Sequence, residues 1–129
     1  MLFTMLVGLL LLTEPVYAEW VEVASSNDGF MAYIYPDTVR VDGSLVRIWT
    51  MYDFREPRQD RLSSRKYLST KMQEEFDCNE AQSRILGFTD YEENMGKGKI
   101  VGTHAGSYSW SPIAPDTMGE VMWKVACAK

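Results

Sequence analysis

Two cysteines among 129 residues, Cys78 and Cys127, constrain this chain more than any other feature. What they can do depends on the compartment, and the opening residues indicate one. MLFTMLVGLLLL carries no charged side chain and is followed by TEPVYAEW, where Pro15 interrupts a helix and Val16 and Ala18 stand where a signal peptidase reads small residues. Residues 1–18 read as a cleavable export signal and residues 19–129 as the mature domain. The apolar run covers about half of the roughly 20 residues a spanning helix needs, so a membrane anchor is the weaker reading and none is expected after cleavage. Glu19, where a lipoprotein would have cysteine, offers no acceptor for lipid. In an oxidising space the only available pair forms a disulfide, Cys78 to Cys127; closing a loop of about 50 residues restricts the unfolded chain by roughly 4 kcal/mol. The alternative, two buried thiols in a cytosolic protein, requires that the leader be misread.

A chain of this length supports one domain with one core. Its net charge of −5 argues against general nucleic-acid binding, which needs a basic face. Alternation of apolar and polar residues marks strands at 20–24 and at 30–36, the latter ending at Pro36, with an extended continuation over 38–41. The clearest strand is LVRIWTMYDF at 45–54, with Val46, Ile48, Thr50, Tyr52 and Phe54 on one face and Arg47, Trp49, Met51 and Asp53 on the other. REPRQDRLSS then reads as a polar loop. In RKYLSTKMQEEFDC, Leu68, Thr70, Met72, Phe76 and Cys78 share a face, so the cysteine points inward. Residues 80–91 fit a strand or a helix, with a strand favoured; ENMGKGK is a loop and KIVGTHAG a short strand.

From Pro115 the period changes to that of a helix, with Glu120 and Lys124 on a narrow polar wedge and Gly119, Met122, Trp123 and Ala126 forming an apolar stripe bordered by Cys127. Val121 and Val125 widen the apolar surface, predicting a helix buried on more than one side, and Gly119 is expected to let its backbone approach the sheet. The whole reads as an α+β fold: about six antiparallel strands packed by one C-terminal helix, held by a single disulfide. The surplus apolar surface points to a homodimer.

Reactive chemistry is sparse. His104 is the only histidine and lies in the glycine-flanked VGTHAG, a poor place to orient a catalytic base. One histidine and two oxidised cysteines do not make the usual zinc set, so neither a metal nor another cofactor is expected. DYEENMG imitates the start of an EF-hand loop, but its glycine falls one place late and Val101 stands where the closing glutamate belongs. Glu74 and Glu75 read as an exposed strand end. One cluster stands out: Arg55, Arg58, Arg61, Arg65, Lys66 and Lys71 gather six of the thirteen basic residues in one loop and the strand after it. Such a patch is either a solvated loop or a surface for anionic polysaccharide, lipid or acidic protein.

Trp20, YIYPDTVRVDG, the strand centred on Trp49, Ser69 and Lys71 ahead of FDC, Arg84, Tyr91 with Met95-Gly96, WSPIAPDTMGE and the closing Cys127 together resemble the surface-adhesin protein E family of Gram-negative bacteria. The resemblance spans nearly all of the mature chain. It implies a six-stranded antiparallel sheet with a C-terminal helix, a tendency to dimerise, and adhesion to host matrix proteins such as vitronectin and laminin. The expectation is therefore a non-enzymatic binding protein, periplasmic, secreted or peripherally attached at the surface, with an extracellular-matrix protein or sulfated polysaccharide as partner. The competing expectation is an accessory protein of the envelope with no host ligand; a small enzyme is a third, lacking a catalytic set.

Overall fold

Each run of alternating residues becomes a strand that pairs with the one before it. In the computed structural model, which describes residues 20–128, the strands are β1 (Val21–Ser26), β2 (Phe30–Asp42), β3 (Leu45–Gln59), β4 (Lys66–Asp77), β5 (Gln82–Tyr91) and β6 (Ile100–Ala105). They form one antiparallel sheet in the order β1-β2-β3-β4-β5-β6. A two-residue strand, β7 (Ser111–Pro112), adds to β5 at Gln82 and Ser83, beyond the end of its pairing with β6. The helix α1 (Met118–Cys127) follows. The predicted leader and its cleavage site lie outside the described residues.

Two prolines lie inside strands: Pro36, expected to end one, and Pro57, which falls in the expected polar loop. β2 runs through Pro36 because its pairing with β3 is interrupted between Tyr35 and Arg40, which spares Pro36 from donating a ladder hydrogen bond it cannot make. Thr38 spans the gap: its hydroxyl donates to the Tyr35 carbonyl at 2.6 Å and accepts from the Trp49 amide at 3.0 Å. Pro57 sits in a similar interruption between Asp53 and Arg58, so β3 continues to Gln59 and the expected ten-residue loop shrinks to the turn between β3 and β4.

Register fixes what each face carries. Val46, Ile48, Thr50, Tyr52 and Phe54 line one face of β3, as alternation predicts, opposite Phe76, Glu74, Met72 and Thr70 of β4. α1 lies on this face. Met122, 1% exposed, packs with Ala32, Ile48 and Phe76 to form the core, and Met118, Trp123, Ala126 and Cys127 close around it. Burying each of the large side chains contributes about 1.5–3 kcal/mol. The Trp123 indole donates to the Asp77 carbonyl at 3.0 Å, next to the disulfide between Cys78 and Cys127. At the other end Thr117 caps the helix, its hydroxyl accepting from the Glu120 amide at 3.2 Å, while the Glu120 carboxylate accepts from the Asp116 amide at 3.0 Å. This is a close variant of the reciprocal capping box.

Two details of the helix differ from expectation. Gly119 is exposed and its missing side chain faces Thr117, so it gives no close approach to the sheet; Met118 takes its place in the stripe. Val121 and Val125 remain 37% and 41% exposed, so α1 is buried on one side only.

Candidate binding surface

α1 covers the sheet face at the start of β3 and leaves the other half of that face open. Across this face the rows run Phe30–Phe54, Ala32–Tyr52–Thr70–Asp90–Gly102 and Ile34–Thr50–Met72–Phe88–His104 over successive strands, Ala32 and Ile34 belonging to the core side. Aromatic residues at inward positions of β2, β3 and β4 therefore meet edge to face: Phe30 with Tyr52 at 5.6 Å, Phe30 with Phe54 at 5.9 Å and Phe54 with Tyr67 at 5.9 Å between ring centroids. They line a groove of about 400 Å³ whose floor includes Met72, Glu74 and Phe88.

Glu74 and Glu75, expected at an exposed strand end, are only 8% and 4% exposed. Both oxygens of the Glu75 carboxylate are engaged, and one oxygen of Glu74 takes two donors. Glu74 accepts hydrogen bonds from the Thr50 hydroxyl at 2.6 Å and the Tyr52 phenol at 2.8 Å. Burial nevertheless pushes the Glu74 carboxyl above its ordinary pKa, those two donors opposing it. The Tyr52 phenol is held well above its ordinary value, by burial first and then by the neighbouring Glu74 charge. Glu75 points to the opposite face, where it bridges β3 and β5 by ion pairs with Arg47 at 3.4 Å and Arg84 at 2.6 Å. Arg84 in turn lies over the Trp110 ring at 4.5 Å. The alternation that placed Thr70, Met72 and Phe76 inward contains position 74, so its burial was readable; that of Glu75 depends on partners from two other strands.

The structure divides the six basic residues of the expected patch. Arg58, Arg61, Arg65 and Lys66 belong to the hairpin arm formed by the end of β3, its turn and the start of β4, all exposed. Arg58 lies over the Phe54 ring at 4.4 Å, so the arm joins the aromatic groove. Arg55 stands apart, its amide donating to Gly29 in the turn between β1 and β2. Lys71 is part-buried on the opposite face, between the rings of Trp20 and Tyr91 at 5.7 and 5.1 Å. Among the described residues none of the six forms a salt bridge. The acid within the arm, Asp60, turns inward: one of its oxygens accepts from the Leu62 amide and from the amide and hydroxyl of Ser63. These donors, the Ser63 amide foremost, hold its pKa below the ordinary value.

On the opposite face, Asp53 accepts from the Asn94 side chain at 3.0 Å and the Met95 amide at 2.7 Å, while Ser69 donates to the Glu93 carbonyl and accepts from the Gly96 amide. These bonds seat a 3-10 turn, Asn94–Gly96, over β3 and β4. The acidic run DYEENMG is therefore divided by the sheet rather than gathered about an ion: Asp90 is buried and bonded to Thr70, whereas Asn94 serves Asp53. His104 stacks on Phe88 and faces Asp60. Asp60, Asp90 and His104 each bring one potential ligand atom within 4.8 Å of the others, a group assembled from three separate segments by strand register. Counting only histidine and cysteine donors misses it.

The described residues thus form a single antiparallel sheet with a stapled C-terminal helix, carrying an open aromatic groove and an exposed cationic arm. The chain belongs to the surface-adhesin protein E family, whose sequence profile matches residues 20–128. Its fold is similar to that of Haemophilus influenzae protein E in crystal form II, with a TM-score of 0.68 at 15% identity over 88% of this chain and 91% of that one. A second structure of Haemophilus influenzae protein E gives a TM-score of 0.65 at 16% identity over 91% of each chain. Protein E from non-typeable Haemophilus influenzae gives 0.62 at 16% identity over 92% of this chain and 82% of that one. No curated protein matches the chain in sequence. Among the described residues no helix is long and apolar enough to cross a membrane.

Proposed function

We propose that this protein is an exported, non-enzymatic adhesin that engages an anionic extracellular macromolecule through its hairpin arm and the adjoining groove. The observation that carries this reading is the arm: Arg58, Arg61, Arg65 and Lys66 are exposed and, among the described residues, free of carboxylate partners, on a protein whose net charge is −5. Cations left unpaired beside an aromatic groove attract an acidic partner from a distance and give it apolar surface to rest on. Arg55 and Lys71, set apart by the fold, contribute less. An extracellular-matrix protein with an acidic segment meets both requirements; a sulfated polysaccharide meets the first. Family membership and the disulfide support export and surface association.

The test is the triple variant Arg58→Ala, Arg61→Ala, Arg65→Ala against immobilised matrix protein and heparin across ionic strengths. Exposed charge pairs contribute about 0.2–1 kcal/mol each, so affinity at low salt should fall by roughly 3- to 150-fold. The difference should narrow as added salt shortens the screening length. Equal binding by variant and parent at every ionic strength would reject the arm as the contact.

A second reading, an accessory envelope protein acting as a homodimer, is favoured by the exposed Val121 and Val125 on α1 and Val21 on the edge strand β1. Light scattering at micromolar concentration separates the two: a dimer dissociated by Val121→Asp supports the second reading, a monomer rejects it.

A further inference from the structure

We propose that Asp60, Asp90 and His104 form a binding site for a divalent transition-metal cation, zinc above all, at the edge of the groove. Their ligand atoms lie within 4.8 Å of one another, and Asp60 Oδ1 is 3.7 Å from His104 Nε2. Zinc bonds to nitrogen and carboxylate oxygen of about 2.0–2.1 Å place tetrahedral ligands about 3.4 Å apart. Closing the set therefore takes side-chain movements of about 1.5 Å or less on this geometry.

Each ligand is already positioned by a neighbour, and for Asp60 the bonds fall on the oxygen turned away from the histidine. The Leu62 and Ser63 amides and the Ser63 hydroxyl all bond Asp60 Oδ2, leaving Oδ1 toward the histidine. The Thr70 hydroxyl donates to Asp90 Oδ1 at 2.7 Å. The imidazole lies on Phe88 with centroids 4.4 Å apart and planes at 25°. Such supports around the ligands are what orient a metal site.

Two further observations point to a cation. Gly102 pairs with Asp90, and a side-chain carbon there would stand 3.4 Å from His104 Nε2 and 3.6 Å from Asp60 Oδ1. Its φ lies outside the left-handed region, so backbone conformation does not call for glycine; the residue keeps space open beside the ligand atoms. Asp60 and Asp90, 8% and 3% exposed, also have no lysine or arginine ion-pair partner among the described residues. Two little-exposed carboxylates side by side are stabilised by a positive charge between them. One imidazole with two carboxylates suits zinc and its first-row neighbours, whereas calcium takes six to eight oxygens. Three protein ligands leave a position for water.

The test uses untagged, disulfide-intact protein stripped with chelator and titrated with zinc chloride by calorimetry, and with cobalt(II) by visible absorption. One zinc per chain with a micromolar or tighter Kd, and a cobalt spectrum typical of low coordination, are expected. His104→Ala should weaken zinc at least tenfold and remove the cobalt band; its side chain is 25% exposed, so the fold should tolerate the change, which thermal unfolding checks. Asp90→Asn, which keeps shape and an acceptor for Thr70, should do the same. Absence of binding below millimolar zinc, or binding unchanged in His104→Ala, would overturn the proposal; should Asp90→Asn fail to fold, the histidine variant decides alone.

Discussion

Removing both sulfurs, in Cys78→Ala with Cys127→Ala, tests the structural role of the staple directly. The bond spans 49 residues of chain, and freeing a loop of that size returns to the unfolded state an entropy worth about 4 kcal/mol at 25 °C. For a domain of this length, about 1 kcal/mol displaces Tm by roughly 4–8 °C, so a fall of about 15–30 °C is expected. The loss should be uneven across the molecule. α1 has ten residues, too few to persist alone in water, and once uncoupled it is held chiefly by Met122 and by the Trp123 bond to Asp77. Urea unfolding of parent and double variant, with hydrogen exchange followed by mass spectrometry, separates the two effects. The urea slope should rise in the variant as its unfolded chain expands, and α1 amides should exchange well ahead of those of β3 and β4. A stability loss under about 1 kcal/mol together with unchanged protection of α1 would refute the assignment of the bond as the principal restraint on the helix.

Glu74 gives stability a pH dependence of definite sign. Burial raises its folded-state pKa above the unfolded value, so its contribution is present below the unfolded pKa and is lost as pH rises through the folded one. Glu74→Gln removes the ionisation while keeping an acceptor for Tyr52 and Thr50; the variant should gain on the parent in urea midpoints from pH 4 to 8, and a gap independent of pH would contradict a buried ionising Glu74. Met122→Ala should lose about 2–5 kcal/mol in the same assay, whereas Val121→Ala, one residue away but exposed, should stay within about 0.5 kcal/mol. Equal losses would mean that α1 is seated on a different side.

The parts of the fold legible in sequence were those with one wet and one dry face. From Val46 to Thr50 burial alternates strictly, with Val46, Ile48 and Thr50 buried and Arg47 and Trp49 exposed, so a one-residue slip would expose the buried set; the contrast fades at Met51, which is buried on the other face. The two cysteines were legible because only one pairing exists. Pro36, expected to end a strand, and the loop expected around Pro57 misled for a local reason: a proline ends a strand only where its missing amide is needed, and an interruption of pairing removes that need. Val121 and Val125 look like buried positions because composition cannot say whether a second surface exists to cover them. The basic residues were visible as a run in the chain, but the distribution of Lys71 and Arg55 away from the arm follows from strand direction and turn position. Least legible was the meeting of Asp60, Asp90 and His104. It rests on the register of β5 with β6 and on the turn that folds Asp60 inward, neither of which leaves a spacing signature.

Strand order has a consequence for how the molecule is made. Every strand of the six lies beside its immediate predecessor, so a chain delivered amino end first can zip each hairpin onto a growing edge without waiting for distant segments. Only the two-residue β7, which returns to β5, and α1 must reach back, and Cys127 arrives after all the strands it helps to secure. Oxidation thus acts as a latch on a sheet whose strands can already be assembled, and a chain ending before α1 would leave the apolar side of that ribbon uncovered.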